Sequence, residues 1–331
     1  MTAPEFRRCP IRGHRTIIAP DRAQRPIVTP FPRSPLDDTE HKQHNPFLAG
    51  NEDQSAAELL TIPGDGAWSV RVVQNLYPAF TQAVDLLTTE HELFQSGTAI
   101  GQQEVIVECP QFETELANLS PTQVADVLTA WQRRLIAIRT EGRFDYAFVF
   151  KNSGARAGAS LPHAHSQLVA AQFVPDAIRR EQTTAREYFD RTRSALQDAV
   201  ISAERNAGRV VIAESEFVAF CPFASRFAYE TCIAPRGISS FLDLSDVEFA
   251  KLSSMLHRLL NAFLAEHPGA AYNLLLHATP FSESDEQWFR WRLEICPRLA
   301  QLAGFELGTG WYVNSVLPVE AASQIRAHVA T

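Results

Sequence analysis

An internal repeat is the feature that most constrains the fold of this chain of 331 residues. A shift of 125 residues aligns Ser120 with Ser245, and it aligns the helical pattern from Val124 with the pattern from Phe249 without a gap. Self-similarity at a constant offset indicates that one supersecondary unit occurs twice. Chance similarity between two mixed halves is the alternative explanation. The repeat predicts an α+β fold made of two related halves.

Each copy of the repeat contains a helix whose start is marked in the sequence. Ser120 is a good N-cap, and Pro121 suits the first helical position. Ser245 and Glu248 form a capping-box pattern at the start of the second helix. Apolar residues then recur at helical spacing, which predicts one buried face for each helix. These residues are Val124, Leu128, Trp131, Leu135 and Ile138 in the first copy, and Phe249, Leu252, Leu256, Leu260 and Phe263 in the second.

Runs of β-branched and aromatic residues predict strands beside these helices. A shift of 126 residues places the strand that contains His163 and His165 on residues 289–294. Phe289 and Trp291 then become the counterparts of the two histidines, so the second copy is predicted to have lost them. The predicted strands of the first copy cover residues 69–75, 104–109 and 146–150.

Composition limits the class of protein. No apolar run approaches the roughly 20 residues of a membrane span, and no apolar signal-peptide core follows the N-terminus, so we expect a soluble, cytoplasmic protein. A net charge of −8 and a pI near 5.7 disfavour nucleic acid as a partner. The five cysteines are odd in number and include no C-x-x-C, which predicts free thiols.

The motif with the clearest chemistry runs from Asn152 to Gln167 and reads NSGARAGASLPHAHSQ. Its glycines and other small residues let backbone N–H groups approach an anion. His163, His165 and Gln167 follow at every second position, which places them on one face of an extended strand. The motif predicts phosphate handling by histidine.

A neutral imidazole can attack phosphorus through one ring nitrogen if a hydrogen bond at the other nitrogen fixes the tautomer. The charge on the non-bridging oxygens then needs donors that do not have to lose a proton. The loop amides, the Ser160 hydroxyl and the Gln167 amide are candidates for these donors. A metal site, or an incidental pair of strand residues, is the alternative interpretation of H-x-H.

The run from Asn152 to Gln167 resembles the active-site motif of the galactose-1-phosphate uridylyltransferase family, which belongs to the histidine triad superfamily. It looks closer still to the ADP-glucose phosphorylase-like subgroup. Further family-like pieces occur in the same order at residues 18–26, 49–52, 75–79 and 304–310. The resemblance implies a duplicated histidine-triad-like unit, with two antiparallel half-barrel sheets and flanking helices. The first half would cover residues 1–175, a helical connector residues 176–207, and the second half residues 208–331.

The resemblance also implies a reaction, in which a nucleoside monophosphate moves from an NDP-sugar to a phosphorylated acceptor through a covalent intermediate on His165. An NDP-sugar phosphorylase that uses inorganic phosphate is one alternative, and a catalytically silent nucleotide-binding protein is another. The expected partners are nucleotide-sugars, sugar phosphates or phosphate, and a second copy of the chain in a homodimer. The other implied site residues are Gln167, Ser160 and His163 in catalysis, Arg22, Arg25, Asn75, Asn152 and Gly158 at the nucleotide and its phosphates, and Glu306 and Phe305 at the sugar or acceptor.

The chain departs from the family at its structural zinc site. The ligand positions of the family hold Asn45, Leu48 and Phe112 here, and only His163 remains. One imidazole cannot build a tetrahedral zinc site. We therefore expect no cofactor, loss of the zinc, apolar packing in its place, and a structural role for His163.

A second metal site of some relatives corresponds to Glu181, His277, Arg292 and Glu294 in this chain. An arginine can supply the positive charge that a metal ion would give to Glu181, so the sequence predicts a salt-bridge network. Metal binding by Glu181, His277 and Glu294 is the alternative.

Overall fold

The structure is a computed structural model that describes residues 4–24, 45–63, 67–82, 89–90, 93–238, 240–283 and 287–329. Its strands form a ten-stranded antiparallel sheet, a three-stranded sheet and a two-stranded hairpin. Helices pack beside the large sheet, so the fold is α+β, as the sequence predicts. None of the helices in the described ranges has both the length and the apolar character that a bilayer span requires.

The strands and helices are numbered in chain order. The strands are β1 (Glu5–Arg8), β2 (Arg15–Ile18), β3 (Glu58–Ile62), β4 (Val70–Gln74), β5 (Thr89–Glu90), β6 (Gln95–Ser96), β7 (Gly101–Val107), β8 (Tyr146–Ser153), β9 (His165–Ala171), β10 (Val210–Ala213), β11 (Phe217–Phe220), β12 (Thr231–Pro235), β13 (Tyr272–His277), β14 (Arg292–Pro297) and β15 (Tyr312–Asn314). The helices are α1 (Pro121–Glu141), α2 (Asp176–Thr192), α3 (Leu196–Asn206), α4 (Asp246–Glu266), α5 (Gly304–Thr309) and α6 (Pro318–Val329).

The large sheet has the order β10-β11-β12-β14-β13-β8-β9-β7-β4-β3. Counted outwards from its centre, the two halves of the chain contribute their five strands in the same relative order. The strands β8 and β13 pair antiparallel at the centre, with Ser153 opposite Tyr272 and Val149 opposite Leu276. The prediction of two sheets is therefore wrong, because hydrogen bonds between these central strands join the halves into one sheet.

The helices confirm the offset of 125 residues. Both α1 and α4 have 21 residues, and their first and last residues differ by 125 in number. The Ser120 hydroxyl accepts a hydrogen bond from the N–H of Gln123 at 3.1 Å, so Ser120 is the N-cap of α1. The predicted capping box of Ser245 and Glu248 is present at the start of α4.

The strands correct the offset of 126 residues. In β8, Ala147 and Val149 belong to the main hydrophobic core with α1 and α4, and in β13 Tyr272 and Leu274 do. These side chains match at an offset of 125. An offset of 126 would place matched side chains on opposite faces of the sheet, because successive residues of a strand alternate in direction.

The residues that pair with β8 and β13 give the offset between β9 and β14, the next strands of the two halves. Ala147 pairs with Ala170 in one half, and Tyr272 pairs with Pro297 in the other. Since Ala147 matches Tyr272, Ala170 matches Pro297 at an offset of 127. This offset matches His165 with Arg292 and Gln167 with Glu294. The prediction that Phe289 and Trp291 are the counterparts of His163 and His165 is wrong, because a slip of one residue inverts the strand face.

The outer face of the sheet is covered differently in the two halves. The predicted connector at residues 176–207 contains the two helices α2 and α3, whose apolar side chains pack on β11 and β12. In the first half, the described cover of this face is a small cluster that includes Phe47 and Leu161. Among the described residues, the outer face of the first half thus has less apolar cover than that of the second half. The division at residues 175 and 208 remains a prediction.

Candidate active site

His165 is the first residue of β9, and its side chain is buried. Its Nδ1–H donates to the carbonyl oxygen of His163 at 2.7 Å. This bond assigns the proton to Nδ1 and leaves the lone pair on Nε2, which makes no hydrogen bond to any described residue. Burial lowers the pKa of His165 to about 4; the His163 carbonyl opposes this shift and the Lys151 ammonium adds to it. The imidazole is therefore neutral near pH 7.

His163 lies just before β9, and both of its ring nitrogens have partners. Nε2 donates to the carbonyl of Cys109 at 2.9 Å, and Nδ1 accepts from the Asn45 amide at 3.0 Å. The amide orientation is fixed because Asn45 Oδ1 accepts the N–H of Phe47 at 3.0 Å. The ring edges of Phe47 and Phe112 complete the surroundings, with centroids 5.9 and 6.2 Å from the imidazole.

These contacts correct the expectation of apolar packing around His163. A buried imidazole needs partners for its polar atoms, and Asn45 supplies one where aliphatic groups could not. The residues also do not fit a zinc ion, since neither nitrogen of His163 has a free lone pair and Asn45, Leu48 and Phe112 offer no thiolate or imidazole. Burial raises the pKa of the Cys109 thiol to about 12, so this thiol is protonated.

A chain of hydrogen bonds orients the amide of Gln167. The backbone N–H of Ala79 donates to Gln103 Oε1 at 3.0 Å, and Gln103 Nε2 donates to Gln167 Oε1 at 2.9 Å. A backbone N–H can only donate, so the direction of the chain is fixed. The NH₂ group of Gln167 is left to donate on the face that carries His165. Asn75 lies next to this chain, since its N–H donates to the carbonyl of Gln103 at 2.9 Å.

A second chain orients the amide of Asn152. Asn273, from the second half, donates to the carbonyl of Ala157 and to Asn152 Oδ1, both at 2.8 Å. The carbonyl can only accept, so Asn152 uses its oxygen here and keeps its NH₂ group as a donor. Gly158 has φ of +92°, and a Cβ there would lie 3.6 Å from Asn152 Nδ2. That distance is an ordinary contact, so the left-handed backbone conformation is what favours glycine at this position.

Other predicted site residues are not connected to His165 by any described contact. Ser160 lies on an exposed part of the loop, and Arg22 lies exposed in a short 3₁₀ helix. Glu306 accepts a backbone N–H at the start of α5, and Phe305 beside it is 47% exposed. Arg25 lies outside the described residues. The roles of these five residues remain predictions.

The second half carries a buried ion-pair network at the positions that match the histidine strand. Arg292 contacts Glu181 and Glu294, each at 2.8 Å. Arg12 contacts the same two carboxylates at 2.6 and 2.9 Å, and it lies 2.6 Å from Nε2 of His277. The predicted network of Glu181 and Arg292 is confirmed. Because burial lowers the pKa of His277 to about 4, this imidazole is neutral and accepts from Arg12.

One group of potential metal donors occurs among the described residues. Oxygen and sulfur atoms of Glu230, Glu294 and Cys296 lie within 4.8 Å of one another. The guanidinium group of Arg226 already contacts all three residues, at 2.8 Å from Glu230 and Glu294 and 3.2 Å from Cys296. A guanidinium therefore occupies the position between these donors.

Sequence reasoning did not identify Gln103, Asn273 or Arg12. Gln103 is half-buried in β7 while its neighbours in that strand are buried, and its polar neighbours Gln102 and Glu104 give no alternation that would have assigned it to the outer face. Asn273 and Arg12 act on residues 116 to 282 positions away. No local pattern carries that information.

Comparison with known proteins agrees with this site. A sequence profile described as "Galactose-1-phosphate uridyl transferase, N-terminal domain" matches residues 2–175, and a profile for a domain of unknown function, DUF4921, matches residues 129–331. The chain is 33% identical to the ADP-glucose phosphorylase of Arabidopsis thaliana, with 98% of this chain and 93% of that protein covered. It is 31% identical to the galactose-1-phosphate uridylyltransferase of Thermotoga maritima, with 70% and 76% covered.

Solved structures give the same result. A crystal structure of the ADP-glucose phosphorylase from Arabidopsis thaliana with bound ADP-glucose has a TM-score of 0.84 and 30% sequence identity, and 98% of this chain and 99% of that chain are covered. The fold and the histidine strand thus define a protein of the nucleotidyltransferase type. The chain belongs to the galactose-1-phosphate uridyl transferase family.

Loss of the structural zinc can be tested on the purified protein. We expect metal analysis to find no stoichiometric zinc, because both nitrogens of His163 are engaged by protein groups. We also expect a chelator to leave the Tm unchanged. One zinc ion per chain, released together with a fall in Tm, would show that the site rearranges to bind metal.

Proposed function

We propose that this protein transfers a nucleoside monophosphate from an NDP-sugar to a phosphorylated acceptor, by double displacement on His165. The observation that carries the proposal is the 2.7 Å hydrogen bond from His165 Nδ1 to the carbonyl of His163. This bond leaves Nε2 with a lone pair on an uncharged ring, which is what a nucleophile on phosphorus requires. In this account, His163 has a structural role and positions His165.

The first displacement forms the covalent intermediate. The Nε2 lone pair of His165 attacks the α-phosphorus, the bond from this phosphorus to the bridging oxygen breaks, and the sugar 1-phosphate leaves with the bond electrons. Nδ1 keeps its proton, so the ring becomes cationic while its N–H remains bonded to the carbonyl of His163. In the second displacement an acceptor phosphate oxygen attacks phosphorus, the N–P bond breaks, and the neutral imidazole returns.

The oriented amides supply donors for the transferred group. Gln167 and Asn152 each present an NH₂ group whose direction is fixed by a partner amide. Such preorganised donors stabilise charge on the non-bridging oxygens without further reorganisation. We assign Gln167 to the transferred phosphate and Asn152 to the phosphate or ribose. Arg22, Arg25, Ser160 and Asn75 complete the proposed nucleotide site.

A phosphorylase is the second candidate function. Its support is the similarity to an ADP-glucose phosphorylase over 98% of this chain, in sequence and in structure. Inorganic phosphate would then replace the sugar phosphate in the second displacement, with the same intermediate on His165. The two candidates differ only in the acceptor.

Three further features belong to the proposal. A homodimer would bring Glu306 and Phe305 to the sugar or acceptor of the partner's site. A cytoplasmic location agrees with the five free cysteine thiols. A duplicated half-barrel unit agrees with the equal strand order of the two halves.

The covalent intermediate predicts a stable mass increase. Incubation with a panel of NDP-sugars, in the absence of acceptor, should add one nucleoside monophosphate per chain by intact mass. His165→Ala should form no adduct, because the attacking nitrogen is removed. His257→Ala on α4 is the matched control and should form a normal adduct. Normal labelling of the His165→Ala variant contradicts the mechanism, and absence of any wild-type adduct supports a silent nucleotide-binding protein.

The acceptor can be identified by challenging the isolated adduct. Inorganic phosphate should release a nucleoside diphosphate if the protein is a phosphorylase, and a hexose 1-phosphate should release an NDP-sugar if it is a uridylyltransferase-like enzyme. Rates at equal acceptor concentration decide between the candidates. An adduct that reacts with neither acceptor would contradict both.

The pH dependence tests the state of the nucleophile. The neutral imidazole attacks, and burial holds the pKa of His165 at about 4. The rate of adduct formation should therefore be level from pH 8 down to about pH 5 and fall tenfold per unit below the pKa. A single-turnover series with buffers of constant ionic strength measures this. An inflection near 6.5, the ordinary value for histidine, would show that the ring is not held neutral.

A further inference from the structure

A buried ion pair lies beside the nucleophile strand and has no part in the mechanism above. Lys151 Nζ is 2.7 Å from Glu108 Oε2, and the two side chains are 1% and 0% exposed. Lys151 is on β8, and Glu108 directly follows β7. These two strands flank β9, which begins at His165.

Stability alone does not explain this pair. Removing two charges from water has a large desolvation cost, and an apolar pair of similar volume is often equally stable or more stable. Glu108 Oε1 also makes no hydrogen bond to any described residue, although it is buried. Buried polar atoms without partners are rare and need an explanation.

The contacts of the pair lead to the nucleophile. Lys151 Nζ donates a hydrogen bond to the carbonyl of His165 at 3.2 Å. The backbone N–H of Glu108 donates to the carbonyl of Ala164 at 3.1 Å. Two consecutive carbonyls at the start of β9 are therefore held by the two members of one ion pair. The orientation of the imidazole depends on this backbone, since its Nδ1–H reaches back to the carbonyl of His163.

The charges of the pair act on the two histidines of the motif. After burial, which is the largest cause, Lys151 is the charged group that lowers the pKa of His165. Burial also lowers the pKa of His163, and there the carboxylate of Glu108 opposes the shift. The positive end of the ion pair thus lowers the pKa of both histidines, and its negative end acts on His163.

Other titratable groups near His165 are arranged so that they add little charge. The Cys109 thiol is protonated, because burial raises its pKa to about 12. Arg71 on β4 lies in the same row of paired residues as Val107 and His165, two strands from the histidine. Its guanidinium is paired with Glu58 at 2.9 Å. Lys151 is therefore the charge that acts on the imidazole most directly.

We propose that Lys151 is a positioning residue for His165: its ammonium group, held by Glu108, fixes the backbone carbonyl of His165 and places a positive charge behind the imidazole. This inference rests on the proposed role of His165 as the nucleophile. The ammonium keeps the imidazole unprotonated and aimed at the substrate. The carboxylate keeps the ammonium at the carbonyl of His165.

The test is an NMR titration of the His165 ring nitrogens in the substrate-free protein. Lys151→Met should raise the pKa of His165 by roughly one unit, the low end of the effect of a nearby charge. Glu108→Gln, the matched variant, removes the opposite charge and should not raise the pKa. The proposal would be overturned if the pKa of His165 shifted equally and in the same direction in both variants, or if it did not shift in the Lys151→Met variant.

Two further variants keep the test decisive if Lys151→Met does not fold. Lys151→Arg preserves the positive charge and should retain the wild-type titration of His165. The double variant Lys151→Met/Glu108→Leu replaces the ion pair with apolar groups, and it should fold and titrate with a raised pKa. An unchanged pKa in the double variant contradicts the role of Lys151.

The titration needs no substrate, so its outcome is separate from that of the adduct assay. A wild-type protein that forms the adduct normally, with titration unaffected by the Lys151 variants, contradicts only the role of Lys151. A wild-type protein that forms no adduct contradicts the proposed function, whatever the titration shows.

Discussion

The hydrogen bond from His165 Nδ1 to the carbonyl of His163 is the interaction on which the account of this site depends. It assigns one proton to one nitrogen, and it leaves Nε2 as a lone pair in a buried, uncharged ring. The surrounding structure holds the carbonyl in place, because Asn45 and the Cys109 carbonyl fix His163 on both sides. An amide and a backbone carbonyl thus hold His163 in place.

The sheet explains why this chemistry is confined to one half of the chain. Matching positions carry amide and imidazole groups on the outer face of the first half, and a neutral imidazole with two charged groups on the covered outer face of the second. In the second half, Glu181 from α2 and Arg12 from the N-terminal segment close the network over the sheet. The charges neutralise one another there, so this face serves to hold elements together. The matched pairs are Asn152 with His277, His165 with Arg292, and Gln167 with Glu294.

Much of this arrangement could be predicted from the sequence. The helix caps at Ser120 and Ser245 and the helix offset depend on local patterns, and the structure confirms them. The strand offset of the second copy could not be obtained in the same way. The offset between matched residues is 125 for the central strands β8 and β13, and it rises to 127 for the next strands, β9 and β14. In a strand, a slip of one residue moves every side chain to the other face of the sheet. The offset of 126 residues therefore predicts the wrong counterparts, Phe289 and Trp291, for the two histidines.

The partners that orient the site could not be read from local patterns. A period in the sequence reports which face a side chain occupies, but it does not report which remote residue meets it. Asn273 and Gln103 are such partners, and they decide which end of the Asn152 and Gln167 amides is free to donate. Lys151 belongs to the same class, since its role depends on a carboxylate 43 residues away.

The most direct test of the account is to identify the atom that carries the nucleotide. The adduct formed on protein with ¹⁵N-labelled histidine can be examined by NMR for coupling between phosphorus and ring nitrogen. We predict coupling to Nε2 of His165, with the proton retained on Nδ1. Coupling to Nδ1 of His165, or a phosphorus atom bonded to His163 or to another residue, would contradict the account.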